Sequence, residues 1–417
     1  MTAVATRLRV VHDALPGAQS LVSDDLPAPI AAAYAAVGSS ARRADPIHVT
    51  WWPRSSLTVR YKVHASSGPL AGERDVVATV GKVPDGAFIA QNGDSRVGVW
   101  IVPNDPALPG LRSALDPDSV TAMLSQVGIK DGVANIRLRA YRPTRRAVIE
   151  VDAGRARLYL KVVRPSAVAG LHERHRLLSG HVPVPDSLGL SPDLGILAMP
   201  FVPGTDLRTL LRAGRPTPEI SRLATLVHDL PEPAPAMTAR SALENLPPVI
   251  DLLKRLVPED ADLVRSLGRE IGKEPVSADT PVHGDFHEAQ VMVAGDRLGL
   301  LDVDTFGWGR PGDDPANMLA HLDLLAASTP TPSQVLEMAR SLNRLWDRTV
   351  DPVDLRLRTA AVVLGLAVGP FRVQRPDWPR EVSARVKAAE RWVESAHRVD
   401  ERSLITTSGN SHGRVRR

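Results

Sequence analysis

From Thr205 to the neighbourhood of Glu401 the chain is a succession of segments with apolar residues spaced near 3.6: DLRTLLRAG, EISRLATLVHDL, VIDLLKRLV, ADLVRSLGREIG, SQVLEMARSLNRLWDRTV, PVDLRLRTAAVVLGLAVG and REVSARVKAAERWVESAHRVDE. One insertion interrupts this helical half. PVHGDFHEAQV from Pro281 and LGLLDVDTFGWG from Leu298 read as a strand, a polar loop and a second strand–loop pair. Ionisable side chains crowded there have to find partners, water or ligands. The stretch suits a transition-metal cage, a catalytic loop or a polar loop without chemistry, and the remaining chain has to decide among them.

The N-terminal half has a different texture. PAPIAAAYAAVG reads as a helix, HVTWWPRSSLTVRYKVHA as a strand or hairpin, and DVVATVGKV and VGVWIVP as strands. DPDSVTAMLSQVG opens on an Asp or Ser cap and reads as a helix. Three strands follow, Ile136 to Tyr141, Ala147 to Asp152 and Arg157 to Val163, then a helix from about Ser166 containing HERH, and the strand GILAMPFV. WWPRSSLTVRYKV and AYRPTRRAVIEV echo one another: an aromatic, a Pro-containing loop and a strand. The expected organisation is a cap subdomain at 1–96, a β-rich small lobe at 97–202, a helical lobe at 203–405 and a disordered tail at 406–417. That is an α+β bilobal arrangement, with a cleft expected between the lobes.

Composition narrows the classes. No cysteine means no disulfide, no thiolate metal site and no Cys nucleophile. The net charge of +4 is small for 417 residues, and scattered arginines form no nucleic-acid footprint. No apolar run reaches the length of a membrane span, and the N-terminus lacks a signal-peptide core. A cytoplasmic monomer or weak homodimer acting on a small molecule, with neither nucleic acid nor membrane as partner, is expected.

The spacing of polar residues favours phosphoryl transfer. Asp285 and Gln290 lie five apart, and Asp302 follows after a short hairpin. A hydroxyl acceptor needs a carboxylate to orient it and take its proton, here Asp285. Mg²⁺ on ATP wants oxygen ligands, which the Gln290 amide and the Asp302 carboxylate supply. Upstream, Lys161 in LYLKV suits the α/β-phosphates, with Glu173 on the following helix to hold it. The strand around Met199 and Phe201 sits where a hinge would present backbone groups to adenine.

HGDFHEAQ (His283 to Gln290), LLDVD (Leu300 to Asp304) and GDDPANML (Gly312 to Leu319) resemble the motifs of the aminoglycoside phosphotransferase and choline kinase-like superfamily, over roughly residues 130 to 325. The resemblance implies a protein kinase-like fold, with Asp285 as catalytic base, Gln290 and Asp302 as Mg²⁺ ligands and ATP as cofactor. Gln290 departs from the usual Asn. The same Gln in HGDFHEAQV looks like the actinobacterial maltokinases and glucosamine kinases, which carry an N-terminal cap.

Candidate substrate contacts are Asp304, His287 and Glu288, with Arg372, Gln374 and Trp378 in GPFRVQRPDWP as a polar-plus-aromatic set that could grip a sugar. Acidic lining favours an amino sugar, so glucosamine is the first expectation; maltose or an aminoglycoside is the runner-up. Two readings of other classes stand beside it. One is a non-catalytic pseudokinase, suggested by Gln290. The other is a metal-dependent hydrolase using His283, Asp285 and His287 with Asp302, Asp304 and His321.

Overall fold

A computed structural model describes residues 8, 15–22, 25–92, 95–272 and 279–411. The chain divides into two compact units: Met1–Arg176 with Pro185–Phe201 and Pro370–Trp378, and Leu177–Val184 with Val202–Gly369 and Pro379–Arg417. The first is β-rich and the second mostly helical, the α+β composition that the sequence patterns imply. Of the expected tail, 412–417 lies outside the described residues; a helix spans Trp378–Ser411. Among the described residues no helix is long and apolar enough to cross a membrane.

The first unit holds two five-stranded sheets. One is built from β1 (Ser40–Trp52), β2 (Ser56–Ser67), β3 (Gly72–Val80), β4 (Phe88–Asn92) and β5 (Ser95–Ile101), in the order β1-β2-β3-β5-β4. The other is built from β6 (Val133–Arg142), β7 (Arg146–Ala153), β8 (Ala156–Val163), β9 (Gly189–Ser191) and β10 (Ile196–Pro200), in the order β6-β7-β8-β10-β9. The two orders are the same. Both opening hairpins turn through a proline followed by a non-glycine residue in the left-handed region, Arg54 at φ 62° and Thr144 at φ 60°. The echo in sequence is therefore part of a repeated sheet topology. The copies differ in one connection: the helix Pro165–Ser179 joins β8 to β9, whereas residues 81–87 join β3 to β4 without a helix.

Alternation along β8 sorts its side chains between two cores. Leu158, Leu160 and Val162 enter a cluster with Ile149, Val151, Val77 and Trp100, so residues of both sheets share one core. That cluster also takes Val120 and Leu124 from the helix Pro117–Gln126. Its Asp116 cap, which the sequence announces, accepts Ser119 N–H at 2.9 Å. On the opposite face, Val163 packs with Leu197, Met199 and two residues of the following helix, Val168 and Leu171.

The segment GPFRVQRPDWP folds with the first unit. Phe371 lies 6.4 Å from the Trp51 ring and meets Trp378 edge-on at 5.1 Å. Trp378 is only 5% exposed, so its ring is committed to packing and offers no face to a sugar. Gln374 is also buried, its amide donating to Phe371 O at 2.6 Å. Both correct the expectation of a sugar-gripping set. Arg372, half-buried, contributes positive charge near His48.

Burial, and then the charges of Arg372, Arg60 and Arg142, pull the His48 pKa down to about 4. The unfolded chain therefore binds this proton more readily than the folded one. The His48 contribution is complete above pH 6.5 and falls as the pH drops toward about 4. In urea unfolding at a series of pH values, His48→Gln should flatten the acid-side loss of stability; an unchanged slope would contradict the assignment.

Candidate active site

In the second unit the inserted loops are strung between short strands. β11 (Thr205–Asp206) pairs with β13 (Val291–Ala294), which pairs with β14 (Arg297–Leu300); β12 (Thr280–Val282) pairs with β15 (Gly307–Gly309). Residues 283–290 therefore bridge β12 to β13, and 301–306 return from β14 to β15. Both loops leave the strands between fixed points.

The first loop is pinned by one carboxylate. Asp314, at the start of the helix Asp313–Ala326, accepts His283 N–H at 2.7 Å on one oxygen and Gly284 N–H at 2.8 Å on the other. Asp314 is 2% exposed, and burial pushes its pKa up to about 7 while the two N–H bonds pull it down. Gly284 needs to be glycine twice over: its φ is 79°, and a Cβ there would stand 2.7 Å from Thr305 O. The neighbouring Asp313 is held by Ser241 Oγ and Arg358 Nη1, each at 2.9 Å.

His283 is fully buried; its Nε2 bonds Leu301 O at 2.9 Å and its Nδ1 accepts Asp285 N–H at 3.3 Å. The ring is thus a neutral brace between the two loops. That removes His283 from the hydrolase ligand set, as does the end of β12 at Val282, which breaks the alternation that would align His283, Asp285 and His287. Thr305 Oγ1 closes the brace by donating to His283 O at 3.0 Å.

Between these anchors Asp285 stays open, its side chain 43% exposed and 3.9 Å from His287 Nε2. Gln290 Nε2 lies 3.5 Å from Asp302 Oδ2, and Leu301 N–H donates to Gln290 O at 2.8 Å. Asp302 adopts φ 59°, a left-handed turn that a β-branched residue would resist. Asp304 sits half-buried on the short turn Val303–Thr305 that follows. Asp285, Gln290 and Asp302 are thus brought onto two loops locked together, as their spacing implies. The Gln290 amide meets the Asp302 carboxylate through its nitrogen, and the donor set of amide oxygen and carboxylate is of the hard kind that suits Mg²⁺.

Two predicted substrate contacts turn out otherwise. Glu288 is 1% exposed and its Oε1 accepts Arg208 Nε at 2.6 Å, so the carboxylate is turned inward rather than toward a substrate. His287 is 8% exposed and stacks on His321 with ring centroids 4.0 Å apart. Burial is the leading cause that lowers both imidazoles to about 3. Sequence reading gave no role to Arg208, Asp313 or Asp314, and took His321 only for a hydrolase. The adjacent acids of GDDPANML are the one local signal that could have pointed to Asp313 and Asp314.

The nucleotide residues belong to the first unit. Lys161 is 4% exposed and alternates with Tyr159 and Val163 on one face of β8. Glu173 is exposed, off the stripe of Val168, Leu171, His175 and Leu178 that the same helix buries. Met199 is buried, and Phe201 stacks on Tyr159 at 6.4 Å with the Arg157 guanidinium 5.2 Å from its ring centre. Glu150 on β7, also unforeseen, accepts Arg137 at 2.8 Å and Tyr159 Oη at 3.0 Å.

Asp314→Asn tests the pin. An amide keeps one acceptor and turns an NH₂ toward the other N–H, so a variant should lose about 1–3 kcal/mol in chemical denaturation. Wild-type stability would mean that Asp314 is held as the neutral acid instead.

Residues 141–349 match the family model described as "Phosphotransferase enzyme family". No curated protein matches the chain. Among solved structures, the chain is similar to a thermostable mutant of aminoglycoside phosphotransferase APH(4)-Ia in complex with ADP and hygromycin B, at 14% identity over 65% of this chain and 97% of that one, with a TM-score of 0.47. It is also similar to APH(2")-IIia in complex with GDP and kanamycin, at 14% identity over 65% and 98%, TM-score 0.47. Choline kinase from Cryptosporidium parvum Iowa II is a more distant likeness, at 10% identity over 65% and 91%, TM-score 0.43. The family match covers half of the chain and includes both loops: the chain belongs to the phosphotransferase enzyme family.

Proposed function

We propose that the chain transfers the γ-phosphoryl group of ATP to a hydroxyl of an amino sugar, with glucosamine as the first candidate. The observation that carries this reading is the loop pair: an exposed carboxylate, Asp285, on the loop that ends at Gln290, whose amide meets Asp302 on the adjoining loop, with the backbone pinned from behind by Asp314. Asp285 orients the acceptor hydroxyl and takes its proton as the hydroxyl oxygen bonds to the γ-phosphorus. The bond from that phosphorus to the bridging oxygen breaks, and ADP leaves. Gln290 and Asp302 would hold Mg²⁺, which when bound offsets the phosphate charge. Lys161 would carry the α/β-phosphates, with Glu173 on the following helix as its partner. Backbone groups at Met199 and the ring of Phe201 receive adenine.

Gln290 in place of Asn lengthens one ligand by a methylene. The adjoining loop bonds, Gln290 N–H to His287 O at 2.9 Å and Leu301 N–H to Gln290 O at 2.8 Å, fix the backbone from which that longer side chain reaches. This supports an active site over a pseudokinase. For the acceptor, Asp304 is the remaining candidate of the acidic lining, since Glu288 is already paired to Arg208. An ammonium group beside Asp304 would favour glucosamine over a neutral sugar.

ADP release should be followed with glucosamine, glucose, maltose, choline and aminoglycosides as acceptors. Glucosamine should give the highest kcat/KM; preference for maltose would move the reading to a neutral sugar. Asp285→Ala should lower kcat by about 10²–10⁴-fold with little change in Mg-ATP affinity, whereas Asp302→Ala should lose that affinity. Wild-type turnover in Asp285→Ala would sink the mechanism.

A further inference from the structure

Beside the loop pair, and separate from Gln290 and Asp302 in its donor set, lies a group of lone pairs with no hydrogen between them. Glu288 Oε2 is 3.7 Å from His287 Nδ1 and 3.7 Å from His321 Nδ1. Both ring atoms face donors elsewhere: Ala289 N–H donates to His287 Nδ1 at 3.2 Å, and Arg208 Nη2 lies 3.4 Å from His321 Nδ1. Arginine is always a donor, so both Nδ1 atoms are acceptors. Neither can bond Glu288 Oε2, which is itself an acceptor. Glu288 is 1% exposed, and its Oε2 has no hydrogen-bond partner. A buried carboxylate oxygen left in this state costs free energy unless a cation meets it.

We propose that His287, Glu288 and His321 form a binding site for a divalent transition-metal ion of the Zn²⁺ or Co²⁺ class, distinct from the Mg²⁺ ligands. One ligand atom from each residue lies within 4.8 Å of the others. The two 3.7 Å separations compare with about 3.4 Å between ligands of a tetrahedral ion with bonds near 2.1 Å. Two imidazoles and one carboxylate select such an ion over Mg²⁺, which prefers oxygen throughout. The stacked rings, 5° from parallel, must turn about χ2 to aim at one point, a torsion that is broad in histidine. The long bonds to Ala289 and Arg208 give way in that turn. Arg208 keeps its 2.6 Å bond to Glu288 Oε1 and so orients the carboxylate with Oε2 toward the ion. Residues 287 and 288 lie on the loop that carries Asp285, and His321 lies on the helix that begins at Asp313, so the ion would tie that loop to that helix a second time.

The test is equilibrium dialysis of the full chain against Zn²⁺, then Co²⁺, without nucleotide and with Mg²⁺ in large excess, followed by metal analysis. One ion per chain is expected. His321→Gln and Glu288→Gln should each weaken binding by about 100-fold or more, while Asp302→Ala retains the ion. Absence of saturable uptake, or unchanged affinity in His321→Gln and Glu288→Gln, would overturn the proposal. The Co²⁺ form of the wild-type chain decides it without variants: NMR should show hyperfine-shifted signals from two coordinated imidazoles, and fewer than two would overturn it. None of these readouts depends on phosphoryl transfer.

Discussion

Everything the loops do rests on a carboxylate that never faces solvent. Asp314 takes the N–H groups of His283 and Gly284 at the head of the helix Asp313–Ala326, and thereby fixes the direction in which the chain leaves β12. The remaining features follow from that direction. Gly284 passes too close to Thr305 for any side chain, His283 turns inward to bond Leu301, and Asp285 is left as the residue that points out. Each orphaned buried N–H would cost about 1–3 kcal/mol, so two of them are enough to hold a loop that has almost no secondary structure of its own. A rigid support of this kind is what a group that must meet a hydroxyl at hydrogen-bond distance needs.

Much of this was legible before the fold was known. The helical half, its single interruption and the three strands around Lys161 follow from periodicity, because periods of 3.6 and 2 are imposed by the backbone itself. That Asp285, Gln290 and Asp302 lie on two adjoining loops was legible because all three belong to one short insertion, where sequence distance and spatial distance nearly coincide. The repeat of the five-stranded order was visible only as an echo of one hairpin. Residues 81–87 in one copy and the helix Pro165–Ser179 in the other hide the rest.

What was not legible depends on long-range packing. Glu288 read as a substrate carboxylate because nothing local shows that Arg208, 80 residues away, would claim it. His287 and His321 are 34 apart in sequence and stack face to face. Trp378 follows a Pro-rich break and reads as a loop tryptophan, yet Phe371 takes up its ring. In each case a side chain that reads locally as a substrate contact is turned inward by a distant partner. Only tertiary contacts reveal this.

The chemistry assigned to these loops is the making of a phosphate ester. The direct measurement is ³¹P NMR of the full chain incubated with Mg-ATP and glucosamine. A new phosphomonoester resonance should grow in step with ADP. Free inorganic phosphate growing in its place, or ATP left intact, would contradict phosphoryl transfer to the sugar.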